Sequence, residues 1–201
     1  LDGERLPPER TMAAEFGVAV GTLRKALGRL QDQKLLRRVQ GSGNYINITP
    51  QTANIYSFFR LESLSGAGLP TAQLLSVDRL PKPIDAPYFG ANPAAFRFRR
   101  LRFLDHQPAA LEEIWLDGSV ADHIAPEEIS ESLYHTYQTR FGLWIVRAED
   151  RVSFAPTPTW GVDQFGLRPG ETAGYFERIA WANTGAALEF SKNWYDTSVS
   201  R

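Results

Sequence analysis

Arg100 and Arg102 stand two apart in the run Phe96-Arg97-Phe98-Arg99-Arg100-Leu101-Arg102-Phe103, and Glu112 follows ten residues later. Side chains alternate along a strand, so Arg100 and Arg102 share a face with Phe96 and Phe98. Two guanidiniums on a partly apolar face call for an anion, because a desolvated, unpaired charge is costly. The planar donor fork of arginine suits phosphate or carboxylate. Leu104-Asp105-His106-Gln107-Pro108 reads as a hairpin turn, which puts Glu112 on the neighbouring strand. There it either neutralises the arginines or accepts hydrogen bonds from ligand hydroxyls. The competing reading is an exposed edge strand with surface ion pairs.

A second candidate surface lies at the start of the chain. Residues 1–50 carry eight basic and five acidic residues, a surplus of three that the whole-chain charge of −1 conceals. Pro7-Pro8-Glu9 opens a helix, with prolines where a missing N–H costs least, Met12 and Phe16 on its inner face and Gly17 at its end. Leu23, Ala26, Leu27 and Leu30 recur at the spacing of one helix face, predicting a second helix near 20–33 whose other face holds Thr22, Arg24, Lys25 and Arg29. Leu35 to Val39 and Tyr45 to Ile48 then flank a glycine-rich tip, predicting a β-hairpin. The sum is a winged helix-turn-helix. Its second helix fits a DNA major groove, and Ala19, Gly21 and Thr22 leave room for phosphates at the helix start. Arg37 and Arg38 flank the tip as phosphate contacts. The competing reading is a small helical domain with a solvated basic face.

Several chemistries are excluded. Without cysteine there are no disulfides, thiolate nucleophiles or Cys-based metal sites. His106, His123 and His135 lack metal-ligand spacing, so neither a metal nor a cofactor is expected. Gly41-Ser42-Gly43 lacks the rest of a nucleotide-binding motif, and no Gly-x-Ser-x-Gly elbow exists. The five Trp residues are expected in the core. Apolar runs such as Leu143-Trp144-Ile145-Val146 fall far short of the ~20 residues of a membrane span. Leu1-Asp2-Gly3-Glu4 is no signal peptide, so a cytoplasmic protein with an incomplete N-terminus is expected.

These elements imply two domains and an α+β chain. Residues 1–49 form the winged helix-turn-helix, 50–56 around Pro50 a linker, and 57–201 the second domain. In the latter, strands are predicted over 73–80, 95–103, 108–116, 143–154, 173–182 and 186–195, largely antiparallel. A helix is expected from Pro126 to about Arg140 and a shorter one over 159–165.

Gly3-Glu4-Arg5-Leu6-Pro7-Pro8-Glu9-Arg10, Phe16-Gly17-Val18, Thr22-Leu23-Arg24-Lys25-Ala26-Leu27 and Gly41-Ser42-Gly43-Asn44-Tyr45-Ile46 resemble the GntR-family DNA-binding domain. The resemblance implies that the family's first helix lies before Leu1. It also implies DNA contacts from Arg10, from Ala19, Val20, Gly21 and Thr22 with Arg24, and from Gly41. Ala19-Val20 departs from the family's usual Ser-Arg or Thr-Arg; valine cannot make arginine's bidentate bond to guanine. Arg100 to Glu112, Ser132-Leu133-Tyr134, Leu167-Arg168-Pro169-Gly170 and Leu188-Glu189-Phe190-Ser191 to Tyr195 are similar to the UTRA effector domain. That domain follows GntR domains in the subfamily of the histidine-utilisation repressor and shares the chorismate lyase fold. The similarity implies an effector site at Arg100, Arg102, Glu112, Ser132 and Tyr195.

The expectation is therefore a transcriptional regulator, a repressor released or re-tuned by a small anionic effector (a sugar phosphate or carboxylate), acting as a homodimer on a two-fold double-stranded DNA operator. The rivals are a lyase-like enzyme acting on a carboxylate and a stand-alone ligand-binding module.

Overall fold

In the basic half, α1 (Glu9–Glu15) and α2 (Val20–Asp32) pack through Met12, Ala13, Leu23 and Leu27 onto Leu36 of a hairpin, β1 (Leu36–Val39) and β2 (Gly43–Ile46). Gly17 takes a left-handed φ of 63° just after α1, and the Val18 N–H donates to Ala13 O at 2.9 Å, which closes the turn between the helices. The hairpin pairs Leu36 with Ile46 and Val39 with Gly43, and Leu6 N donates to Asn44 O to tie the chain's start to it. Three expected core positions are corrected: Phe16 is 66% exposed, and Ala26 and Leu30 also face solvent. A helix of this length needs only a narrow stripe, here Leu23 and Leu27, to cover so small a core. This computed structural model describes residues 5–32, 36–46, 58–66 and 69–201. The expected linker at 50–56 lies outside the described residues, as do Leu35, Asn47 and Ile48; the chain divides into two compact units, Leu1–Ser57 and Phe58–Arg201.

The second unit is built on one antiparallel sheet of β3 (Pro70–Pro81), β4 (Ala94–Leu104), β5 (Gln107–Asp117), β6 (Ile145–Pro156), β7 (Thr172–Ala182) and β8 (Ala187–Tyr195). Their order across the sheet is β3-β4-β5-β8-β7-β6. The β4–β5 turn is tighter than the five residues expected: Leu104 pairs with Gln107, and only Asp105 and His106 bridge them, with φ of 47° and 68°. That mirror-image turn follows the right-handed twist of the strands. Directly opposed residues share a face, so the register defines rows across the sheet. One row is Arg100, Glu112, Asn193, Phe176 and Val152; the next is Arg102, Ala110, Tyr195, Gly174 and Phe154.

The helix expected from Pro126 to Arg140 is broken in two. A 3-10 turn at Pro126–Glu128 ends in extended backbone at Ile129, and α3 (Leu133–Phe141) restarts four residues on. Serines intervene: Ser130 Oγ donates to Ser132 O at 2.6 Å, and Ser132 caps α3 by accepting the His135 N–H at 3.3 Å. Such local bonds compete with a continuous helix. The shorter helix expected over 159–165 is a single 3-10 turn, Asp163–Phe165. Of the tryptophans, Trp115 and Trp194 are buried, Trp160 and Trp181 half-buried and Trp144 exposed, so the core placement holds for two of the five. The α3 residues Leu133 and Tyr137 cover Phe96, Phe98, Ile114 and Leu116 on the face that carries Arg100. Phe165 covers Leu101, Leu111 and Trp194 on the opposite face.

Candidate effector site and DNA-facing surface

Arg100, Arg102 and Glu112 converge. Glu112 lies opposite Arg100 on β5, and its Oε2 accepts from Arg100 Nε at 2.9 Å while its Oε1 accepts from Arg102 Nε at 3.1 Å and Nη2 at 3.0 Å. All three side chains are more than nine-tenths buried. Arg100 also donates to Glu131 O, one residue before Ser132, which brings the start of α3 to the cluster's edge. Burial alone would raise the Glu112 pKa, yet the two guanidiniums outweigh it and hold it below the ordinary glutamate value. Of the two roles open to Glu112, the structure shows the neutralising one. Two guanidiniums thus meet on one carboxylate on a buried face, and that of Arg102 also lies over the Phe59 ring at 5.0 Å.

Ser132 and Tyr195 stand further off. The Ser132 oxygen already serves as the helix cap. Tyr195 shares the Arg102 row, with the Ala110 strand between them, and its ring lies over Gly174, where an added Cβ would come within 2.3 Å of the ring. Gly174 thus makes room for the phenol ring next to Phe176, 6.4 Å away between centroids.

The same face holds a second polar cluster that the sequence reading missed. Glu189 Oε1 accepts from the Tyr134 hydroxyl at 3.0 Å, and Arg178 grips Asp150 with two bonds of 2.6 and 2.7 Å and donates to Phe58 O. Glu189 Oε2 and the Tyr137 hydroxyl are buried without a hydrogen-bond partner among the described residues. Burial drives the Glu189 pKa up despite Arg178 and Arg100 nearby, and burial likewise holds Tyr134 and Tyr137 protonated. An acid raised on folding takes up a proton. Its contribution is therefore complete below the unfolded glutamate pKa and is lost as pH rises through the folded value. Glu189→Gln keeps an acceptor for Tyr134 and removes that loss. Urea midpoints measured from pH 5 to 8 are expected to favour the variant increasingly as pH rises. The gain should approach about 1.4 kcal/mol for each pH unit that separates the unfolded from the folded pKa of Glu189.

A cavity of about 310 Å³ elsewhere in the unit is lined mainly from the opposite face, by Glu149, Arg151, Glu177, Ile179 and Phe190 with Pro87 and Asp150. It contains none of the five effector candidates.

In the basic unit Arg10, Ala19, Gly21, Thr22, Arg24 and Gly41 are all exposed. Val20 is half-buried and packs on the Met12–Leu23 core, which accounts for an apolar residue at this position. Gly21 sits in the first turn of α2 with nothing within 4 Å of an added Cβ, so alanine, the better helix former, would fit the free protein. Arg24 reaches back to α1, where its Nε donates to Glu9 Oε2 at 2.6 Å; that bond lowers the Glu9 pKa. Sequence spacing gave no sign of this link between the two helices. Gly41 takes φ of 77° at the hairpin tip, a conformation that glycine adopts freely. Arg37 lies over the Tyr45 ring at 5.6 Å, so its stem is held along the wing.

Comparison with known proteins bears on both units. The model of the UTRA domain matches residues 67–199, and the model of the gntR family of bacterial regulatory proteins matches residues 1–46. HTH-type transcriptional regulator SmoD of Agrobacterium fabrum is 51% identical over 201 residues, covering 100% of this chain and 86% of that protein. The mannosyl-D-glycerate transport/metabolism system repressor MngR of Escherichia coli is 26% identical, over 97% of this chain and 83% of that protein. The crystal structure of the possible transcriptional regulator YydK from Bacillus subtilis superposes with a TM-score of 0.57 at 22% identity, over 98% of this chain and 87% of that one. The ligand-binding domain of a GntR-family regulator from Bordetella bronchiseptica reaches 0.61 at 20% identity, over 72% and 94%. At such identities the two structures speak for the fold alone, an α+β fold with a mostly antiparallel sheet. No helix among the described residues is long and apolar enough to cross a membrane. The family consists of transcriptional regulators, which answers the rival reading as a lyase-like enzyme. With a DNA-binding unit and an effector unit each matched in order, this chain belongs to the GntR family of bacterial regulatory proteins, as a UTRA-containing, ligand-responsive regulator of transcription.

Proposed function

We propose that the protein is a cytoplasmic repressor that binds a two-fold operator as a homodimer and is released or re-tuned by a small anionic metabolite, a sugar phosphate or a carboxylate. The observation that carries the anionic class is the buried trio in which Arg100 and Arg102 share the single carboxylate of Glu112. An incoming anion gains charge-assisted hydrogen bonds from these planar donors where water is largely excluded. Ser132 at the cap of α3 and Tyr195 over Gly174 flank the trio as further ligand contacts. Repression is supported by the names of two relatives, MngR and the repressor NagR of Bacillus subtilis, which is 23% identical over 94% of this chain. On the DNA side the reading takes Arg10, Ala19, Gly21, Thr22, Arg24 and Gly41 as the contact surface, with Val20 as its packed base. The domain limits proposed are 1–49 and 57–201.

Arg102→Ala tests the effector assignment. Arg100 still neutralises Glu112 in that variant, so the fold is expected to persist. Calorimetric titration with a panel of sugar phosphates and carboxylates should show wild-type binding of at least one member. The variant should bind it ten- to a hundredfold more weakly, corresponding to ~1.5–3 kcal/mol for a charge-assisted bond. Equal affinity in both proteins would overturn the site.

A further inference from the structure

Glu9 stands where the DNA-reading parts of the basic unit meet. Its carboxylate accepts from Arg24 Nε of α2 at 2.6 Å, and its side chain is only 19% exposed although that of Arg24 is 63% exposed. The same carboxylate takes a side-chain hydrogen bond from the buried Asn44 of β2 and is attracted by Arg38, which faces Asn44 across the hairpin. Asn44 is itself tied to the start of the chain, its carbonyl accepting the Leu6 N–H at 2.9 Å. One acid at the first position of α1 thus joins both helices to the wing.

An acid in this place works against affinity. Arg10 is its neighbour in sequence and Arg24 its partner, both exposed, and a carboxylate beside them repels the phosphates that they attract. What it contributes is geometry. The bond to Glu9 engages Nε and fixes the stem of Arg24, which leaves the two Nη groups for a bidentate bond to the O6 and N7 of a guanine. A long, exposed side chain that is held before binding loses less rotamer freedom on binding. The bond from Asn44 fixes the hairpin against the same carboxylate, so the base-reading helix and the wing keep one spacing.

We infer that Glu9 is a positioning residue for sequence reading, which holds Arg24 ready for a base edge and sets the wing beside α2 without touching DNA itself. This rests on the reading of Arg24 as a DNA contact. The test is fluorescence anisotropy of the full chain at one salt concentration, with a duplex selected from a random pool and with a scrambled duplex; the readout is the ratio of the two affinities. Glu9→Ala should lower that ratio by about fivefold or more, the low end of what one bidentate base contact contributes to discrimination. It should bind the scrambled duplex at least as tightly as the wild type, because a charge that repels phosphate is gone. Glu9→Asp keeps the charge but falls one methylene short of Arg24, and should lower the ratio as well. Glu9→Gln keeps an acceptor at full reach and should retain most of the ratio. In an Arg24→Ala background, Glu9→Ala should change the ratio no further. A folding defect in one variant would weaken both duplexes alike, and the Asp and Gln variants then carry the test. A wild-type ratio in Glu9→Ala and Glu9→Asp, or an equal fall with and without Arg24, overturns the role of Glu9 and leaves Arg24 a DNA contact. An Arg24→Ala protein that discriminates as well as the wild type overturns both.

Discussion

Replacing Arg10 and Arg24 together by alanine is expected to weaken operator binding by about 2–5 kcal/mol, from roughly thirtyfold to several thousandfold, with the fold intact. Both side chains are exposed, so their removal opens no cavity. Arg10 projects from α1 and Arg24 from the second turn of α2, where Glu9 holds it by a 2.6 Å bond. Arg24 stays 63% exposed in that pair, and the loss of such a surface contact alone costs little stability. Each arginine that reads a base contributes ~1–3 kcal/mol, and each arginine that neutralises a phosphate steepens the salt dependence, so its removal flattens it. Fluorescence anisotropy with a duplex selected from a random pool, measured at several salt concentrations, gives both quantities. Affinity and salt slope unchanged in the double variant would remove α1 and α2 as the DNA surface.

Glu112→Ala is expected to have the largest effect on stability, a loss of about 3–5 kcal/mol in the effector unit. The reason is the asymmetry of buried ion pairs: removing the shared carboxylate takes a buried counter-charge from two guanidiniums, each with less than one-tenth of its side chain exposed. For a unit of this size the melting temperature should fall by about 10 °C. Added phosphate or sulfate should raise it more in the variant than in the wild type, because the anion replaces the missing charge. A melting curve within a degree of wild type, indifferent to anions, would mean that the trio does not hold the charge assigned to it.

The sequence carried the strands and the arginine pair plainly, and lost the features that depend on register. Alternation through Phe96, Phe98, Arg100 and Arg102 is a period-two signal, and the structure places all four on one face. The β4–β5 hairpin then puts Glu112 opposite Arg100 by local connectivity alone. Glu189 and Arg178 lie on strands that join the same face only through long-range pairing, with Glu189 opposite Leu116 and Ala180. No local spacing reports that pairing. The available hint was an acid flanked by Leu188 and Phe190 in an apolar strand, since a carboxylate rarely occupies such a place without a partner. Tyr134 escaped for another reason. Its helix was expected to begin at Pro126, and the serine bonds that restart it at Leu133 reset the phase of every later side chain. In the basic unit the pattern gave both helices and the wing, while the exposure of Phe16 and the half-burial of Val20 were settled by how little core there is to cover.

The coupling between the two units is the central claim, and operator affinity measured with and without the bound anion tests it most directly. In anisotropy titrations of the selected duplex, the anion identified by calorimetry is expected to shift the operator Kd of the wild type at least fivefold, within the usual range of coupling free energies. Arg102→Ala should bind the duplex as the wild type does without the anion and respond only at ten- to a hundredfold higher anion concentration. An anion that binds wild-type protein yet leaves the operator Kd unmoved, or one that shifts wild type and Arg102→Ala at the same concentration, would contradict the account.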